Sequence, residues 1–194
     1  MLLAFSGLKG SGKDTAAKVL IEEYGFTRIA FADALREALL VLDPWIPDAS
    51  YGYGTLPLSE LIDDAGWDWA KNNIPEVRRI MQVFGTEVGR MMFGDNVWVD
   101  NLQKRFPDIA DPESRYVITD CRFDNEVDFV RNNGGQVIWI DRPGLVSDGH
   151  ASESTSIENL ASVVLHNDET IEELAEDIRF MLHLWNVDKV LLDE

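Results

Sequence analysis

Short apolar runs alternate along the chain with longer amphipathic ones. The short runs are rich in β-branched residues and lack clean polar alternation. They predict strands at Leu2–Ser6, Thr27–Phe31, Tyr116–Asp120, Gln136–Asp141 and Ser162–Leu165, of the kind that helices cover on both faces. The longer runs predict helices at Lys13–Glu23, Asp33–Leu42, Glu76–Phe93, Asn96–Phe106, Asn125–Asn132 and Thr170–Leu184. This alternation implies a three-layer α/β fold, a parallel sheet of about five strands with helices on both faces. Ligands of such sheets bind beyond the carboxyl ends of the strands. The stretch Asp43–Asn73 breaks the rhythm. It holds PWIPDASYGYGTLP and then a short acidic helix candidate, and reads as an insertion or a lid over a site.

Composition narrows the classes. The 194 residues suffice for one domain, with or without an insertion. No stretch approaches the roughly 20 apolar residues of a membrane span, and the N-terminus lacks a basic lead-in to an export signal. The lone cysteine, Cys121, excludes an internal disulfide framework and suits a reducing cytoplasm. Seventeen basic residues against 35 acidic ones give a formal charge of −18. That field repels nucleic acid as a partner. A small phosphorylated ligand stays open, provided that basic groups gather locally.

They gather first in GLKGSGKDT. Gly7-x-x-x-x-Gly12-Lys13 follows an apolar strand and opens a helix, the context a phosphate-binding loop requires. Gly7, Gly10 and Gly12 let the backbone curl so that N–H groups point at one anion. Lys13 adds a charge, and the helix N-terminus adds its dipole. Lys9 and Ser11 fill the variable positions. The pattern usually has Ser or Thr directly after the lysine, as a magnesium ligand. Here Asp14 stands there and Thr15 follows. The shift leans toward small-molecule kinases and away from GTPase switches. Asp14 is either a holder of a magnesium-bound water or an acidic residue favourable to the first turn of a helix.

A second constellation is YVITDCRFDNEVDFV. Asp120 ends a buried strand, where an acid can position Mg²⁺ or its waters. Arg122 follows at the same edge, and Asn125 and Glu126 start the next helix. A third is PEVRRIMQVFGTEVGRMMFGDNVWVD. Ile80, Val83, Phe84 and Val88 form a stripe at helical spacing that reads as core. Arg78 and Arg79 lie about 100° apart on the helix and cannot share one face. Gly85 and Gly89 each cost about 1 kcal/mol against alanine inside a helix, so close approach of a ligand or another helix is expected there. Trp98 reads as core rather than as a platform for a base. Finally, IWIDRPG places Arg142 just after a strand, and a polar loop with His150, Ser152 and Glu153 follows.

Taken in order, GLKGSGKDTAA, VRRIMQVFGTE, Trp98-Val99, TDCRFDNEVDFVRNNGG, IDRPG, GHASE and LHNDETIEEL resemble the bacteriophage-type deoxynucleoside monophosphate kinases. The resemblance runs from Gly7 to about Leu184 and is weakest over Asp43–Asn73. It implies a nucleoside monophosphate kinase-like fold over residues 1–194, with an insertion or acceptor-binding region at about 43–106. It also implies ATP-dependent conversion of a dNMP to its dNDP in the cytoplasm of an infected host. A homodimer is one option, and no membrane partner is implied.

Phosphoryl transfer between two phosphates needs alignment and neutralisation of spread charge rather than a general base. On that basis the loop Gly7–Thr15 with Lys13, together with Arg142, is expected to hold ATP. Asp14, Thr15 and Asp120 are expected in the water shell of Mg²⁺. Asp33, Arg36, Arg78, Arg79, Gln82, Thr86, Arg122 and Glu126 are expected around the acceptor, with Arg36 placed by the resemblance and at least one of Arg78 and Arg79 on its phosphate. Gln82, Thr86 and the Tyr51–Tyr53 loop are the candidates to face the base. The competing readings are a kinase of another small phosphorylated acceptor, of the phosphomevalonate or dephospho-coenzyme A type, and a P-loop ATPase switch.

Overall fold

A computed structural model describes residues 1–48, 54–146 and 155–188. In chain order the elements are β1 (Leu2–Ser6), α1 (Lys13–Tyr24), β2 (Thr27–Ile29), α2 (Ala32–Leu42), β3 (Trp45–Asp48), β4 (Gly54–Pro57), α3 (Leu58–Asn73) and α4 (Pro75–Val83). A π-helical turn (Phe84–Arg90) follows. Then come α5 (Met91–Phe93), α6 (Val97–Arg105), β5 (Tyr116–Ile118), α7 (Asp124–Asn132), β6 (Gln136–Asp141), a 3₁₀ turn (Thr155–Leu160), β7 (Val163–His166) and α8 (Ile171–Leu184). The chain divides into two compact units, residues 1–30 with 103–194, and residues 31–102.

The first unit holds the five-stranded sheet, in the order β2-β5-β1-β6-β7 with every pairing parallel. Its central strand, β1, is buried at all five positions. Leu3 and Phe5 share one face with Val117, Ile138 and Ile140, and that face packs on Leu20 of α1 and Ile178 and Leu182 of α8. A second layer, α7, lies against β1 and β6 and buries Val127 and Val130. The α/β sandwich expected from the alternating runs is therefore present. Two of the five strands, β1 and β6, have the expected bounds, and the others shift by up to two residues. The guanidinium of Arg179 on α8 also grips the carboxylate of Glu23 on α1, with Nη2 donating at 2.6 Å.

The second unit contains the stretch that broke the rhythm. It is an antiparallel hairpin, β3 with β4, followed by a long helix rather than a short one. Asp43 sits in the left-handed region at φ 44° and ends α2. Its carboxylate accepts from Ser59 N at 2.8 Å and from Ser59 Oγ at 2.9 Å, satisfying the first turn of α3. Within α3, Gly66 breaks the helical path at φ 76°, ψ 159°. A Cβ there would meet nothing, so the backbone angle rather than space calls for glycine.

The predicted helix Glu76–Phe93 is broken into α4, a π-helical turn and α5. The reason is Trp98. Its ring lies so close to Gly89 that a Cβ there would be 2.4 Å from Cζ2, and its Nε1 donates to Gly85 O at 2.8 Å. Gly89 is thus explained by a side chain from a neighbouring helix, a Cβ on Gly85 would press on Leu35 Cδ2 of α2 at 3.3 Å, and Trp98 is buried, as expected. The stripe Ile80, Val83, Phe84 and Val88 is half-buried rather than core, while Val77 is buried. Extra residues in the π turn shift the stripe's phase, so its members do not all face one layer. Among the described residues no helix is long and apolar enough to cross a membrane.

Candidate active site

The loop after β1 is built from positive-φ glycines, with Gly7 at 135°, Gly10 at 81° and Gly12 at 108°. At Gly7 a Cβ would lie 2.5 Å from Ile140 O of β6, and at Gly12 it would lie 2.5 Å from Asn167 Nδ2. The backbone passes too close to its neighbours for any side chain. Lys13 opens α1 and is buried. Its ammonium donates to Gly7 O at 2.8 Å and Leu8 O at 2.7 Å, with Ser11 Oγ at 3.4 Å. These oxygens draw the ammonium back onto its own loop. Asp14 is exposed in the first turn of α1, and Thr15 is half-buried beside it.

Two side chains from other strands grip this loop from outside. Asn167, just after β7, donates from Nδ2 to Ser11 O at 2.7 Å, and its own N–H donates to Asp141 O at 2.7 Å. Arg142, just after β6, donates from Nη1 to Gly10 O at 3.3 Å. Asp141 and His166 close the same edge, with Nδ1 and Oδ2 3.2 Å apart. Arg142, expected to hold ATP, meets the loop backbone here, and sequence reasoning misses Asn167, because a side chain that meets the backbone 156 positions earlier leaves no local signal. Its only trace is the polar LHNDET following a short apolar run.

On the other side of β1 lies β5, and Asp120 and Arg122 follow its end. Both are half-buried. Cys121, between them, is buried, and its N–H donates to Phe5 O at 3.3 Å. Ser6 Oγ donates to Cys121 O at 2.7 Å, tying the Asp120–Arg122 turn to the end of β1. Burial, with Glu126 and Asp120 nearby, pushes the Cys121 thiol well above its ordinary pKa. Glu126, expected at the acceptor, is only 2% exposed. Its carboxylate accepts from Arg122 N at 2.7 Å and Phe123 N at 3.2 Å, so it fixes the turn that carries Arg122.

Arg36, Arg78, Arg79, Asp33, Gln82 and Thr86 all belong to the second unit. Arg36 on α2 lies 3.6 Å from Asp33 Oδ1 and has its guanidinium 5.8 Å from the ring centroid of Trp67. On α4, Arg79 is engaged by Glu76, with Nε donating to Oε2 at 2.7 Å and Nη2 to Oε1 at 2.6 Å. That hydrogen bonding lowers the Glu76 pKa. Arg78 is half-buried, Arg79 exposed, and Gln82 and Thr86 half-buried. His150, Ser152, Glu153 and the Tyr51–Tyr53 loop lie outside the described residues.

The oxygen donors Asp14, Thr15 and Asp120 suit Mg²⁺, which prefers oxygen and keeps several waters. Asp120 follows the strand next to β1, and Asp14 and Thr15 open the helix that follows the β1 loop. Among the described residues no three His, Cys, Asp or Glu side chains could together cage a metal. A site made of one or two carboxylates plus substrate phosphates does not need such a cage.

Comparison with known proteins gives this arrangement its relatives. A family model for deoxynucleotide monophosphate kinase matches residues 62–178. A putative deoxynucleotide monophosphate kinase of Acanthamoeba polyphaga mimivirus is 33% identical over 189 residues, covering 92% of this chain and 94% of its own. The deoxynucleotide monophosphate kinase of Enterobacteria phage T4 is 26% identical over 235 residues, covering 92% and 97%. Among solved structures, TT1252 from Thermus thermophilus is similar in fold at a TM-score of 0.50 and 15% identity, covering 95% of this chain and 97% of that one. The parallel sheet with its flanking helices is therefore a kinase-like fold, and the chain belongs to the deoxynucleotide monophosphate kinase family.

Proposed function

We propose that the chain transfers the γ-phosphoryl group of ATP to the phosphate of a deoxynucleoside 5′-monophosphate, giving ADP and the diphosphate. The observation that carries this reading is the Lys13 ammonium held against Gly7 O and Leu8 O within a glycine loop at the start of α1. An incoming phosphate offers Lys13 charged oxygens in place of neutral carbonyls, a charge-assisted exchange that favours the anion. The α1 N-terminus adds its dipole to the same oxygens. Arg142 and Asn167 keep the loop in shape for that exchange.

The acceptor phosphate is already an anion, so no general base is required. What the reaction requires is cationic groups that meet the developing charge. Arg122 follows β5 on a turn fixed by Glu126 and Ser6, and we assign it to the transferring group. We assign residues 31–102 to acceptor binding, because Arg36 and Arg78 belong to that unit. Asp14, Thr15 and Asp120 are the residues that would hold Mg²⁺ through its waters. When bound, the ion supplies charge neutralisation on the β and γ oxygens. The family's substrates and the lone buried Cys121 support a reaction in the reducing cytoplasm of a host cell.

The test is ADP formation measured with dGMP, dTMP, dCMP, dAMP and their ribose counterparts, each with and without the monophosphate. Stimulation by at least one dNMP is the expected result. ATP hydrolysis indifferent to every monophosphate would point to a switch instead. In a stimulated enzyme, Lys13→Ala should lower turnover by about 10²–10³ while circular dichroism stays unchanged.

A further inference from the structure

The Arg36 guanidinium is oriented on two sides and unpartnered at a third. Asp33, one turn earlier on α2, offers Oδ1 at 3.6 Å, too long for a hydrogen bond but close enough for charge attraction. The Trp67 ring from α3 offers a π face at 5.8 Å. The Nε–H is buried and has no acceptor among the described residues. A buried donor without a partner is costly. A chain of charge −18 would relieve it simply by turning a carboxylate toward it. Here Asp33 stays 3.6 Å from Nη1 without taking up the Nε–H, and the Trp67 ring lies on another side.

Trp67 owes its place to the break in α3. Gly66 at φ 76°, ψ 159° interrupts the helix directly before it, so the break, and not the helical repeat from Leu58 and Leu61, sets the direction of Trp67. An aromatic face orients a guanidinium without consuming its N–H groups, whereas a carboxylate would occupy them. This is the arrangement expected of an arginine kept ready for a ligand oxyanion.

We propose that Trp67 is a positioning residue: its ring holds Arg36 so that the unpaired Nε–H edge receives the phosphate monoester of the acceptor nucleotide. The proposal rests on the kinase reading given above. Trp67 acts through Arg36 and need not itself touch the nucleotide.

The experiment uses the full chain with saturating ATP and varied dNMP. Trp67→Phe keeps a π face, while Trp67→Leu keeps apolar bulk without one. The expected result is a KM for dNMP raised about threefold to thirtyfold in Trp67→Leu and largely restored in Trp67→Phe, with KM for ATP within about twofold throughout. Trp67→Leu is then added to Arg36→Ala. If the ring acts through the arginine, its effect disappears in that background. Equal behaviour of the Phe and Leu variants, a parallel rise in KM for ATP, or an effect of Trp67→Leu that persists beside Arg36→Ala would each overturn the proposal. The last of these would mean that the ring stacks on the base. A wild-type enzyme unresponsive to every dNMP overturns the kinase reading along with it. An active wild type with indifferent Trp67 variants overturns the positioning role alone.

Discussion

Asn167 Nδ2 donates to Ser11 O at 2.7 Å, so the residue after β7 holds the loop after β1. The same carboxamide is what a Cβ on Gly12 would strike at 2.5 Å. Loop shape and loop clamp are thus one feature. Asn167→Asp replaces the donor by a second acceptor and sets a negative charge against the loop to which we assign the ATP phosphates. We expect KM for ATP to rise at least tenfold, with a smaller rise in Asn167→Ala, and KM for dNMP to change by less than twofold. Steady-state kinetics with each substrate varied in turn decides it. An unchanged KM for ATP in Asn167→Asp would show the clamp to be dispensable.

Arg78 and Arg79 are adjacent in sequence and unequal in the structure. Arg79 spends both arms of its fork on Glu76 and is exposed. Arg78 is half-buried on the next face of α4. We expect Arg78→Lys to raise KM for dNMP about tenfold and to lower kcat, because a planar fork becomes a point charge. Arg79→Lys should change either parameter by less than twofold. The opposite ranking would move the acceptor phosphate to the Arg79 face.

The parts of this structure that could be foreseen are those with local causes. β1 and β6 carry the unbroken apolar runs Leu2–Phe5 and Val137–Ile140, too short for a helix and read as buried strands. The glycine loop follows from spacing alone. The Glu76–Arg79 pair obeys the i, i+3 rule. The β3–β4 hairpin was hidden by Pro47 and Pro57, which argue against a strand in a larger sheet. In a two-stranded ribbon each strand has a free edge, so a missing N–H is tolerated there. Asn167, Trp67 and the capping role of Glu126 were hidden for another reason. Glu126 carries the i, i+3 spacing of a capping residue, which competes with its reading as a ligand. The other two act on distant or neighbouring elements that only the folded chain brings near.

Cys121 gives a prediction about pH. Burial raises its thiol pKa well above the ordinary value, and Glu126 and Asp120 add to the effect. The folded chain therefore keeps the proton while the unfolded chain releases it above about pH 8.5. Stability from this group is complete below that pH and declines as pH rises through the alkaline range. Because the thiolate is the reactive form, the native protein should resist iodoacetamide at about pH 8 and react fully in denaturant. Rapid native alkylation at Cys121, followed by mass spectrometry, would contradict the buried assignment.

The contact between Gly89 and Trp98 sets the shape of the helix that carries Arg78 into the π turn. A Cβ at Gly89 would lie 2.4 Å from Cζ2, 2.8 Å from Cε2 and 3.0 Å from Nε1 of Trp98. An indole cannot bend away from such an overlap, so the whole ring or the turn must move. Moving the ring also stretches the bond from Nε1 to Gly85 O. Overpacking of this kind costs about 1–3 kcal/mol, and a lost buried hydrogen bond adds about 1 kcal/mol. We expect Gly89→Ala to lower stability by about 2–4 kcal/mol in urea titrations at constant m-value. The companion variant Trp98→Phe removes the N–H and trims the ring. Combined with Gly89→Ala, it should recover part of the loss, since a smaller ring leaves room for the methyl group. Strict additivity of the two changes would mean that the π turn accommodates the added methyl group without displacing the ring, and that Gly89 answers some other demand.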